Sequence, residues 1–203
     1  ETSHDLIISN EGGISKRCKD LIITRNKIAN SQKGWHFLAT QNSHFTKNEV
    51  YQHLTVGLNI VGATNDDNRK NEGNFIYQNK IHHNLIGVLI GQNADENILS
   101  QNSIYANASI GIDISAAGIN ADGVSENDLN DTDSGPQQLL NYPELRITNY
   151  TNTTATIAVD LDIDDTYNDQ EGYRVEFFAN SSVVDRGGEI YLGYLEVAGD
   201  VNN

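Results

Sequence analysis

The sequence predicts an all-β protein, a short right-handed parallel β-helix of about 4–5 coils followed by a small antiparallel β-sandwich. Three observations carry this. Four segments superimpose residue by residue around a shared asparagine: LIITRNKI (21–28), SHFTKNEV (43–50), FIYQNKI (75–81) and ILSQNSI (98–104). Eight or nine residues after each asparagine a glycine opens a second apolar run, at Gly34, Gly57, Gly87 and Gly111. Beyond residue 145 the repeat gives way to period-two alternation broken by turn-like clusters.

The first element is the coil. Self-similarity at 22, 31 and 23 residues is the signature of a solenoid, in which each repeat buries its apolar positions against its neighbours. Inward columns are expected from Ile22, His44, Phe75 and Ile98 or their immediate neighbours, and from Ile28, Val50, Ile81 and Ile104. The shared Asn26, Asn48, Asn79 and Asn102 are expected at a corner, for two reasons. Asparagine tolerates the left-handed backbone of a tight turn, and its amide both donates and accepts toward the same residue one coil away. That reading makes the ladder scaffold. The interval of 31 implies an inserted loop, assigned to ATNDDNRKNEG (63–73).

The coils are expected to span 1–119, with a cap or linker over 120–144 and the sandwich over 145–203. The apolar run IGIDI (110–114) closes the last coil, and an acidic, glycine-containing stretch follows it. An open solenoid end exposes unpaired strand edges that need covering. The strands of the last part read as RITNY, TATIAVDLDI, YRVEFFAN and IYLGYLEVAG.

Charge divides the chain at the same place. Residues 1–119 carry 11 acidic and 10 basic side chains, whereas residues 120–203 carry 17 acidic and only 3 basic. The second part, at −14, would repel nucleic acid and anionic membranes, which bind through Lys and Arg. No apolar run reaches the roughly 18 residues of a membrane-spanning helix. The chain begins at Glu1 and contains no Met, which points to a processed or excised product. The lone Cys18 forms no internal disulfide.

Clustered oxygens make calcium the expected cofactor. Asp128, Asn130, Asp131 and Asp133 recur near alternate positions and end at Gly135, a pattern able to wrap a hard cation that takes 6–8 oxygens. Asp122 and Asp113 are candidates to complete that shell. A second acidic group, Asp162, Asp164, Asp165 and Asp169, begins on the polar face of the alternating VDLDID strand (159–164) and continues past it. The alternatives without metal are a solvated Asx-turn loop for the first cluster and a solvated acidic surface for the second.

Tyr51, His82 and Tyr105 follow the inward corner residue in three coils and are expected to form an outward column. With Trp35, they form a candidate carbohydrate-binding surface, since exposed rings in line suit a sugar chain. Strand propensity alone also favours aromatics there. For a polysaccharide-cleaving enzyme, Asp95 or Glu96 with Asp113 would be the carboxylate pair, and His82 or His83 the base. Acceptor sequons for glycosylation occur at Asn107, Asn130, Asn149, Asn152 and Asn180.

The coils resemble the right-handed parallel β-helix repeats of bacterial and archaeal surface and secreted proteins. The stretch from GIDISAAG through NYPEL, followed by YRVEFFAN and YLGYLEV, is similar to a recurrent junction of such a helix with an immunoglobulin-like sandwich. The resemblance implies a non-enzymatic extracellular or cell-surface structural or adhesive module, and the alternative it implies is a polysaccharide lyase, epimerase or glycosidase, or a carbohydrate-binding module. Similar sandwiches continue with further strands where this one stops after about four. An unfinished sheet is a template for strand addition, so a homo-oligomer or filament through the sandwich edge is expected.

Overall fold

The computed structural model describes residues 13–16, 18–62, 70–115, 123–162 and 173–197. The repeat folds into stacked coils, each contributing strands to parallel sheets. The first sheet runs β1 (Gly13–Lys16), β4 (Trp35–Leu38), β7 (Val56–Val61), β11 (Ile86–Ile90), β15 (Ile110–Ile114). A second stacks β2 (Ile22–Thr24), β5 (His44–Thr46), β9 (Phe75–Tyr77) and β13 (Ile98–Ser100). The third stacks β3 (Lys27–Ala29), β6 (Glu49–Tyr51), β10 (Lys80–His82) and β14 (Ser103–Tyr105). At one corner, β8 (Asn71–Glu72) pairs with β12 (Ala94–Asp95). Every one of these ladders is parallel, and the register places Val50, Ile81 and Ile104 in line.

The core is a set of columns running along the stack. Phe45 and Ile76 are fully buried between the partly buried Ile23 and Leu99. Ile22 and Ile98, by contrast, are 77% and 57% exposed. The immediate neighbours therefore fill the column, because a three-residue strand with its middle residue inward turns both ends out. Trp35, Phe37 and Phe45 pack with ring centroids 5.5–6.2 Å apart and close the early coils. Each fully buried side chain of this size contributes roughly 1.5–3 kcal/mol of transfer free energy.

The corners differ from the expectation in an instructive way. The left-handed residue is the one before each ladder asparagine: Arg25, Lys47, Gln78 and Gln101, with φ between 52° and 58°. The asparagine side chain itself bonds the neighbouring coils. Residues 71–73 of the expected insertion belong to the coil: Asn71 and Glu72 form β8, and Gly73 takes φ 65° at the corner. Residues 63–69 lie outside the described part of the chain. Close stacking also demands glycine at one position, since a Cβ on Gly57 would meet the Gly87 carbonyl oxygen at 2.8 Å.

The C-terminal part is antiparallel. Strands β16 (Glu144–Tyr150) and β17 (Ala155–Asp160) form one hairpin, β18 (Tyr173–Ala179) and β19 (Ile190–Val197) another. All four expected strands are present, as two two-stranded sheets and not as one closed sandwich. Strand β16 is exposed at every residue, and Val175 is the buried apolar side chain of the second hairpin.

Candidate functional site

The ladder is threefold. In the first, Asn79 Oδ1 accepts the Asn48 backbone N–H at 2.8 Å and its Nδ2–H at 3.1 Å. Asn102 does the same for Asn79 at 3.0 and 2.9 Å, and Asn48 for Asn26 at 2.9 and 3.0 Å. The second, Ser43, Asn74 and Asn97, and the third, Ser31, His53, Asn84 and Asn107, run along two further corners. Single-residue pattern matching missed both, because serine and histidine interrupt the asparagine signal. The left-handed residue preceding each rung, such as Asn42, Gln52 or His83, is the common feature.

Where the stack ends, the later segments supply what a further coil would. Gln137 Oε1 accepts the Asn97 N–H at 2.8 Å, and Gln137 Nε2 donates to the Asn97 carbonyl at 2.9 Å. Glu176 accepts from Ser100 Oγ at 2.6 Å and from the Gln101 N–H at 2.8 Å. Asp185 accepts the Ala106 N–H at 2.6 Å. Ile104 and Gly188 exchange both backbone hydrogen bonds, at 2.8 and 2.7 Å, as an antiparallel bridge. Side-chain oxygens thus satisfy donors that the missing coil would have taken. Between hairpin and stack a cavity of about 910 Å³ remains, floored by Leu99, Ile104, Ile110 and Ile112 and walled by Arg174, Glu176, Phe178 and Arg186.

Of the expected metal ligands, the structure gathers Asp128, Asp131 and Asp133, each with a carboxylate oxygen within 4.8 Å of the others. Asp128 Oδ2 accepts from Thr132 N and Oγ1 at 3.0 and 2.8 Å, whereas its Oδ1 is buried with no hydrogen-bond partner. Asp131 Oδ1 accepts the Asn141 N–H at 2.9 Å. Local desolvation of this exposed residue, then the neighbouring Asp128 charge, push the Asp133 carboxyl above its ordinary range. Crowded carboxylates of this kind are what a hard cation relieves.

Two further expected ligands, Asn130 and Asp162, meet beside this group, and Asn141 Nδ2 donates to both the Asp128 and Asp162 carbonyls at 2.8 Å. Asn130 stands in a left-handed turn and donates its backbone N–H to Asp162 Oδ1 at 3.2 Å. Asp113 is not a ligand of that cluster: it is buried in β15, in register with Leu89. Asp122, Asp164, Asp165 and Asp169 lie outside the described residues.

The outward aromatic column forms as expected, with a different consequence. Tyr51 and His82 stack at 5.3 Å and 11°, and His82 and Tyr105 at 4.9 Å and 19°. The facing ring surfaces are spent on each other, whereas a sugar needs an open ring face. Trp35, expected on that surface, is instead 6% exposed and belongs to the core, so it offers no ring face to a ligand. Of the expected enzyme carboxylates, Asp95 is tied to Gln138 Nε2 at 2.9 Å and Asp113 is inside the protein. Asn107, a sequon residue, is committed to the third ladder, with Nδ2 on the Ile81 carbonyl at 3.2 Å.

No family model matches the chain, and no curated protein matches it. The class defined by the coordinates is an all-β protein with parallel strand stacks and antiparallel hairpins.

Proposed function

We propose that the protein is a non-enzymatic structural module of the cell surface or extracellular space, and that it assembles with further copies of itself through its C-terminal hairpins. One observation carries this reading. Leu145, Ile147, Ile157 and Val159 share one face of the first hairpin by cross-strand register, and Leu145, Ile147 and Ile157 are 56%, 64% and 43% exposed. Two-stranded sheets are marginal alone, and an apolar face whose edges no strand among the described residues pairs is completed by another strand pair. A second copy brings the same face and the same edges. The resemblance of the coils to surface and secreted proteins supports the location.

Charge sets the condition for assembly. With 17 acidic against 3 basic side chains in residues 120–203, two such surfaces repel. Calcium at Asp128, Asp131 and Asp133 would lower that repulsion and hold the cap together. Of the carboxylates expected for the enzymatic alternative, Asp113 is buried and Asp95 is tied to Gln138, which leaves Glu96 as the exposed member of the set. Electron microscopy of the purified protein with and without Ca²⁺ tests the reading. Ordered polymers in Ca²⁺ are expected; dispersed particles under both conditions, with turnover of a polysaccharide, would replace it with the enzyme.

A further inference from the structure

The corner between β10 and β11 brings two imidazoles together. His83 takes φ 56°, and this left-handed turn swings its ring to the same side as that of His82. Their Nδ1 atoms lie 2.8 Å apart with ring planes at 83°. Two nitrogens at that separation have either to share one proton or to share one ion.

His82 is oriented from every side. Tyr51 and Tyr105 hold its plane between them, and Glu49 Oε1 stands 3.5 Å from Nε2. Lys27 anchors that carboxylate at 2.7 Å. A carboxylate on one imidazole nitrogen fixes the proton there and leaves the other nitrogen's lone pair free, the arrangement found behind histidine metal ligands.

We propose that His82 Nδ1 and His83 Nδ1 form a bidentate site for a divalent transition metal of tetragonal preference, Cu²⁺ first and Ni²⁺ second, with Glu49 as the positioning residue. The observed separation lies nearer the tetragonal spacing than the tetrahedral one. Bonds of about 2.0 Å meeting at about 90° separate cis nitrogens by about 2.9 Å, whereas a tetrahedral centre separates them by about 3.3 Å. Imidazole nitrogen suits these metals. The stack fixes His82, and the exposed His83 turns about its side-chain torsions to aim its lone pair at the same ion, with water in the remaining positions.

The site is separate from the carboxylates of the cap, so the test keeps them apart. Cu²⁺ is titrated into the whole protein in excess Ca²⁺, followed by calorimetry and by electron paramagnetic resonance. The expected result is one equivalent bound, with hyperfine structure from two nitrogens, and weaker binding of Zn²⁺. His82→Phe preserves the ring stack but removes the ligand, and His83→Ala alters an exposed ring; both are expected to abolish the two-nitrogen signal with an unchanged melting temperature. Glu49→Gln should weaken binding 10–100-fold. A two-nitrogen signal that survives in His82→Phe or His83→Ala, or no saturable Cu²⁺ binding at all, would overturn the assignment.

Discussion

Asn79 and Asn48 are joined twice, the Oδ1 of Asn79 taking both the backbone and the side-chain N–H of Asn48, at 2.8 and 3.1 Å. Both residues are about 98% buried or more. Asn79 also donates to the Phe45 carbonyl at 2.7 Å, so one amide satisfies three buried groups of the coil before it.

Asn79→Ala is therefore expected to destabilise the protein by about 2–4 kcal/mol, since each buried group left unpaired costs about 1–3 kcal/mol. Asn26→Ala, at the exposed start of the same ladder, should cost under about 1 kcal/mol. Urea denaturation of the two variants measures the contrast, and equal losses would deny the ladder its role.

Gly57→Ala should be as damaging as a core substitution. The added Cβ meets Asn84 Nδ2 at 2.7 Å and the Gly87 carbonyl at 2.8 Å, and the second contact is backbone. Spreading two coils costs about 1–3 kcal/mol or more. Thermal unfolding reads the shift.

His53 makes the stack acid-sensitive. Its Nδ1 accepts the Ser31 N–H at 3.3 Å and its Nε2 faces the Ile28 carbonyl at 3.1 Å, an arrangement that fits the neutral ring. Burial lowers its pKa in the fold. The folded state thus binds the proton less well than the unfolded chain, and stability falls as pH drops below about 6.5. His82 shifts the same way, so His53→Asn should flatten part of the slope between pH 7 and pH 5, not all of it. An unchanged slope would contradict this.

Much of this was legible from residue pattern, and the failures have physical causes. The shared asparagines gave the coil and the first ladder, because one residue type recurs at one corner. The Ser43 and His53 rungs were hidden by mixed chemistry, since a hydroxyl and an imidazole do the work of an amide there. Ile22 read as core because short strands leave parity ambiguous by one residue. The covering of the last coil was unreadable: Glu176 meets Gln101 across 75 positions and Gln137 meets Asn97 across 40, with no repeat to align them.

The carboxylate cluster gives a prediction with two signs. The Asp133 carboxyl is held above its ordinary range, so in metal-free protein its contribution to stability is present at low pH and is lost as pH rises through its folded pKa. Asp133→Asn should then raise the metal-free melting temperature at neutral pH while removing the stabilisation by Ca²⁺. Differential scanning calorimetry with and without Ca²⁺ follows both, and a Ca²⁺ response identical to the parent would rule the cluster out.

Assembly through the exposed face of Leu145, Ile147 and Ile157 is tested most directly by sedimentation equilibrium over a wide concentration range in Ca²⁺, with Ile147→Lys beside the parent. The account predicts a mass that rises with concentration in the parent and a monomer in the variant. A parent that stays monomeric at every concentration would contradict it.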